Sequence, residues 1–159
     1  MKSYKQYIKE NDAEHQKALN DTGFWGSRGA GCIILAKDTK RILIAPRSAS
    51  VEQPHTWGTW GGAIDKHETP EDAIHREVQE EAGYYGHLSV VPLMVFSSGS
   101  FRYYNFLAIV DKEFHPHLDW ETQGYKWCKF GEWPHPLHFG LKGLFNHGPS
   151  LETIRKHVS

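Results

Sequence analysis

The sequence predicts a single α/β or α+β domain built around a mixed sheet. Three observations carry that reading. Residues 31–36 and 41–45 are short β-prone runs joined by the turn-forming stretch Lys37-Asp38-Thr39-Lys40. Residues 70–82 read as a helix with a complete start and stop signal. Beyond it, strand-like segments at 88–96, 101–110 and 125–130 precede helix-like segments at 137–146 and 150–157. No repeat, low-complexity tract or linker divides the chain, and 159 residues are enough for one hydrophobic core.

Composition bounds the function. Hydrophobic residues make up 39% and aromatics 13%, too much for a disordered tail. Eighteen Lys and Arg against 19 Asp and Glu leave a net charge of -1, so a net-basic nucleic-acid-binding module is not indicated. Cys32 and Cys128 stand far apart, outside any CxxC pattern; they read as buried thiols in a reducing compartment. The first 25 residues read as a polar helical extension, with Tyr4, Ile8 and Leu19 touching the body, ahead of a domain at 26–159. No apolar run is long enough for a signal peptide or a membrane span, so the expectation is a soluble cytoplasmic protein.

The segment from 57 to 84 carries the chemistry. Trp57-Gly58-Thr59-Trp60-Gly61-Gly62 leads into the helix, and the paired glycines let backbone approach a ligand closely. Thr69 fits the N-cap, Pro70 the first helical position, and Asp72 stands three residues past the cap; Gly83 supplies the stop. Ile74, Val78 and Ala82 recur at four-residue spacing and point to the core. At about 100° per residue, Glu77 and Glu81 fall beside that stripe rather than opposite it, and Glu80 lies one turn from Glu77. Three carboxylates so close repel one another, and burial adds to the cost; a hard divalent cation reverses both penalties.

The run Gly62-Ala-Ile-Asp-Lys-His-Glu68-Thr-Pro-Glu-Asp-Ala-Ile-His-Arg76-Glu77-Val78-Gln-Glu80-Glu81-Ala-Gly83-Tyr84 resembles the Nudix box, GX5EX7REUXEEXGU, at every fixed position. The resemblance implies an α/β/α sandwich and Mg²⁺- or Mn²⁺-dependent hydrolysis of the diphosphate in a nucleoside diphosphate derivative. It further implies that Glu77, Glu80 and Glu81 are metal ligands, joined by the carbonyl of Gly61. Arg76 then orients a box glutamate, and Glu68 braces the loop or holds a metal-bound water. For the general base the resemblance offers Glu81 in the box or Glu121 in the loop before Trp127, with Glu113 and Asp119 as alternatives. Arg47 is placed to meet a substrate phosphate. The partner implied is a small nucleotide, with a homodimer as a possible assembly; the near-zero net charge gives nucleic acid no support, and no membrane is implicated.

Some residues resist assignment. Trp60 stands where many relatives carry Pro, which puts the entry-loop shape in question. Trp57, Phe101, Tyr103 and Tyr104 suit either base stacking or core. His115, His117, His135 and His138 lack partners at zinc spacing and read as loop residues. The box leaves open the leaving group, and with it a capped or triphosphorylated RNA end or a binding module without turnover.

Overall fold

The structure, a computed structural model, describes residues 28–46, 57–116 and 124–159. The proposed N-terminal extension, Arg47 and Glu121 lie outside the described residues. Seven strands form the sheet: β1 (Arg28–Ala36), β2 (Arg41–Pro46), β3 (Trp57–Gly58), β4 (Trp60–Ala63), β5 (Leu88–Ser98), β6 (Phe101–Val110) and β7 (Lys126–Lys129). Three described helices complete the fold: α1 (Pro70–Glu80), α2 (Phe139–Phe145) and α3 (Gly148–Val158).

The organising strand is β1, which is buried from Gly29 to Ala36. One edge pairs in parallel with β6 along its whole length, from Arg28 opposite Arg102 to Ala36 opposite Val110. The other edge is shared. Its first half pairs antiparallel with β4, placing Ala30 opposite Gly62 and Gly31 opposite Gly61, and its second half pairs with β2. The parallel pair makes the sheet mixed, as expected; β5 and β7 add to its flanks. The short strands β3 and β4 were not legible in the sequence, because Trp-Gly-Thr-Trp-Gly-Gly lacks the alternation of a half-buried strand. Trp60 settles there as a core residue, 6% exposed.

Alternation along β1 decides which helix covers which face. Ala30, Cys32, Ile34 and Ala36 face α1, where Ala73, Ile74, Val78 and Ala82 pack on them. Ile33 and Leu35, with Ile42, Ile44 and Leu107, face the opposite way, toward Leu141 and Leu144 of α2 and Ile154 of α3. A helix on each face gives the three-layer sandwich. Each fully buried Ile or Val in these layers contributes about 1.5–3 kcal/mol. Both cysteines are buried thiols, and burial, then the charge of Glu77, pushes Cys32 up to about 12.

Candidate active site

Helix α1 starts where the sequence places it, and its glycine stop follows as expected. Thr69 accepts from the Asp72 amide at 3.0 Å and its own amide donates to Asp72 Oδ2 at 3.2 Å, closing a capping box. At the other end Gly83 adopts φ +73°, and the amides of Gly83 and Tyr84 donate to the carbonyls of Gln79 and Val78. The helix stops at Glu80, two residues short of the expected end, so Glu81 is its C-cap. Glu81 keeps a helical backbone, its amide on the Glu77 carbonyl, yet is exposed, whereas the helical wheel alone set it beside the apolar stripe.

Glu77 remains helical and is 6% exposed, a carboxylate inside the α1 face of the core. Its seat is Gly62. A methyl group at that position would press into Glu77 Oε1 and stand 3.0 Å from Cδ, so only glycine leaves room. The neighbouring Gly61 points through the opposite face of β4, as does Gly31 of β1, and there the hydroxyl of Tyr103 fills the space of both missing side chains. The two consecutive glycines are thus gripped from opposite sides, by a carboxylate on one and a phenol on the other. Tyr103 was legible only as an aromatic of undecided role. Its signal was the pairing of Gly31 with Gly61, which depends on register.

Arg76 binds the site together. Its Nε donates to Glu68 Oε2 at 2.8 Å and its Nη2 to Glu68 Oε1 at 2.9 Å, a forked pair. Nη1 donates to Glu77 Oε1 at 3.1 Å, and Nη2 also reaches the carbonyl of Ala63 at 2.9 Å. Asp65 and Glu80 complete the surroundings at 3.5 and 3.6 Å. Glu68 Oε1 further accepts from the Asp65 amide at 2.8 Å, so both of its oxygens hold the loop between β4 and α1.

The electrostatics divide these carboxylates. The hydrogen bonds from Arg76 hold Glu68 below the ordinary carboxylate range. Glu77 is pushed the other way, by burial first and then by the charges of Glu81 and Glu80, with Arg76 only partly opposing them. An acid whose ionised form is disfavoured by burial and by like charges is stabilised by an added cation. Three carboxylates within five residues are the oxygen donors that Mg²⁺ or Mn²⁺ prefers. Among the described residues no three such side chains converge on one point. Glu77 is buried, while Glu80, 3.6 Å from Arg76, and Glu81 are exposed one turn further along. The donor set fits a divalent ion.

Glu113 is committed elsewhere. Both its oxygens bond Arg41, at 2.6 and 2.7 Å, and Thr39 donates to one of them. His138 lies in the loop, as expected, but it is buried, 4% exposed, and caps α2 by accepting from the Gly140 amide. With Gly31, Gly61, Tyr103 and Asn105 it lines a cavity of about 40 Å³ on the face opposite Glu77. That is far smaller than the roughly 300 Å³ at which ligand pockets begin.

The model of the NUDIX domain matches residues 26–147. The chain belongs to the NUDIX domain family. A Mycobacterium tuberculosis protein named "Putative 8-oxo-dGTP diphosphatase 3" is 41% identical over 71 residues, covering 41% of this chain and 33% of its own. The chain thus matches about a third of the length of the curated relatives. Among solved structures, a Nudix hydrolase from M. smegmatis superposes with a TM-score of 0.61 at 24% identity, covering 84% of this chain and 86% of its own. A MutT NUDIX hydrolase from Burkholderia pseudomallei gives 0.60 at 21% identity, over 79% and 99%. The E. coli dihydroneopterin triphosphate pyrophosphohydrolase gives 0.56 at 20%, over 83% and 94%. These likenesses establish the Nudix α/β/α sandwich with its mixed sheet.

Proposed function

We propose that this Nudix protein hydrolyses the diphosphate linkage of a nucleoside diphosphate derivative with the help of Mg²⁺ or Mn²⁺. The observation that carries the proposal is the buried Glu77 carboxylate, seated on Gly62 and steered by Arg76. A carboxylate placed there at a cost to its own ionisation has its use in holding a cation. Glu77, Glu80 and Glu81 are the side chains assigned to hold it, with the carbonyl of Gly61 assigned as a further ligand. A bound divalent ion would neutralise charge on the phosphate oxygens and acidify a water.

The chain's own groups supply the rest. Glu68 and Arg76 fix the loop and the orientation of Glu77. Water attacks one phosphorus, the P–O bond to the leaving phosphate breaks, and the water's proton passes to Glu81, exposed at the end of α1. Glu121 is the competing base, and Arg47 is assigned to a substrate phosphate. The M. tuberculosis relative's name puts 8-oxo-dGTP first among substrates to try. Two buried free thiols agree with a cytoplasmic location, and no described helix is long and apolar enough to cross a membrane. A polar helix at residues 1–25 and a homodimeric assembly are retained as parts of this proposal.

The test is a panel of 8-oxo-dGTP, dGTP, diadenosine polyphosphates, nucleotide sugars and ADP-ribose, with Mg²⁺, Mn²⁺ or EDTA. Products are identified after reaction in ¹⁸O-labelled water. Hydrolysis that needs the cation and falls at least a hundredfold in Glu81→Gln is expected. A larger fall in Glu121→Gln moves the base to the loop. Absence of turnover across the panel overturns the proposal.

A further inference from the structure

At the far end of β1 a second concavity, about 330 Å³, opens between four separate segments. The turn from β1 to β2 brings Lys37 and Lys40, the start of β5 brings His87 and Ser89, and the end of β6 brings Asp111. The last turn of α3 brings Lys156 and His157, while Leu35 and Ile109 form an apolar floor. Gly62, the seat of Glu77, is in register with Ala30, seven residues before Lys37. At ~3.3 Å per residue the two sites stand about 23 Å apart along the strand.

The charge around this cavity is unbalanced. Among the described residues, none of the three lysine ammonium groups has a carboxylate within ion-pairing distance. The nearby acids are turned elsewhere. Asp38 accepts from the Thr39 amide, Glu113 is held by Arg41 and Thr39, and Asp111 faces His87 at 3.6 Å. Three lysines against one aspartate leave the lining net positive. That is the complement of a phosphomonoester dianion.

The backbone holds the arrangement. The amides of Lys37 and Asp38 donate to the carbonyls of Val110 and Asp111, tying the turn to β6. Lys40 adopts φ +61°, the left-handed region, and is the one non-glycine residue to do so among the described residues. Glycine or asparagine takes that conformation more readily, so the lysine is kept there against local preference. His157 is likewise fixed, its Nδ1 on the Thr153 carbonyl at 2.9 Å. Lysines on a constrained turn and a helix end that line one cavity carry like charge, which an anion between them offsets.

We propose that this cavity is a binding site for a small phosphorylated molecule, distinct from the diphosphate site. The lysines take the phosphate, and the partly buried Ile109 takes the uncharged portion. The site stands independently of the proposed hydrolysis.

The test titrates full-length, metal-free protein in EDTA with inorganic phosphate, AMP and, as the control anion, chloride, following backbone amide shifts. Phosphate and AMP are expected to move the amides of residues 35–41, 87–89 and 156–158. The double variant Lys37→Glu with Lys156→Glu is expected to weaken binding at least tenfold, with thermal stability and metal-dependent turnover close to those of the parent. Tighter binding of AMP than of phosphate assigns a role to the floor; equal binding identifies the phosphate group alone as the ligand. Shifts confined to residues 61–84, shifts reproduced by chloride, or binding untouched in the folded double variant overturn the proposal. Should the double variant unfold, Lys37→Gln carries the same test.

Discussion

Two arginines of this chain grip glutamates in the same forked geometry, yet only one of them reaches on to a buried acid of the proposed site. Arg41 meets Glu113 at 2.6 and 2.7 Å, and Arg76 meets Glu68 at 2.8 and 2.9 Å. In each pair the carboxylate is held below its ordinary range: at Glu113, bonds from Arg41 and Thr39 outweigh the cost of partial burial, and at Glu68 the bond from Arg76 leads. The difference is the third nitrogen. Arg76 passes Nη1 on to the buried Glu77, which remains raised by burial and by its acidic neighbours. The Arg41 pair is a closed unit that ties the β1–β2 turn to the end of β6. The Arg76 pair is a lever whose free end positions a destabilised acid.

The sharpest way to break this comparison is to truncate both arginines. Arg76→Ala is expected to lower metal-dependent turnover about a hundredfold and stability by about 2 kcal/mol, since charged hydrogen-bonding groups lose their partner. Arg41→Ala is expected to lower the urea midpoint only slightly, by less than Arg76→Ala does, with turnover within twofold. Equal losses of turnover would put both pairs in the same role.

A smaller effect isolates the seat. Gly62→Ala adds one methyl against Glu77 and leaves Arg76–Glu68 intact. Turnover should fall ten- to a hundredfold by displacement of the carboxylate, and Mn²⁺ affinity, read by electron paramagnetic resonance, should fall with it. Unchanged Mn²⁺ affinity would remove Gly62 from the site.

The smallest effect is in pH dependence, and its signs oppose. Glu68, held low, contributes stability that is full above the ordinary carboxylate pKa and is lost as pH falls through its lower folded value. Glu77, held high, is costly when ionised, so its burden is absent at acid pH and appears as pH rises through its raised value. Metal-free Glu77→Gln should therefore melt above the parent near about pH 7 and level with it near about pH 4. Glu68→Gln should melt below the parent near about pH 7, the gap closing in acid. Parallel melting curves for both variants would show that neither carboxyl is shifted by folding.

The linear sequence by itself determined helix α1, its capping box, its glycine stop and the identities of the box residues. Each depends on neighbours within one or two turns, where spacing and geometry are nearly the same thing. It also determined the mixed sheet in outline, since the strands carry their own apolar patterns. Only the tertiary structure decided that β4 is a strand and that Gly61 and Gly62 are held from opposite faces. It alone showed that Glu81 is exposed while Glu77 is buried, and that lysines of the β1–β2 turn and of the end of α3 line one cavity. These depend on strand register and on which segments meet across the sheet, and a one-residue slip would turn each side chain to the other face.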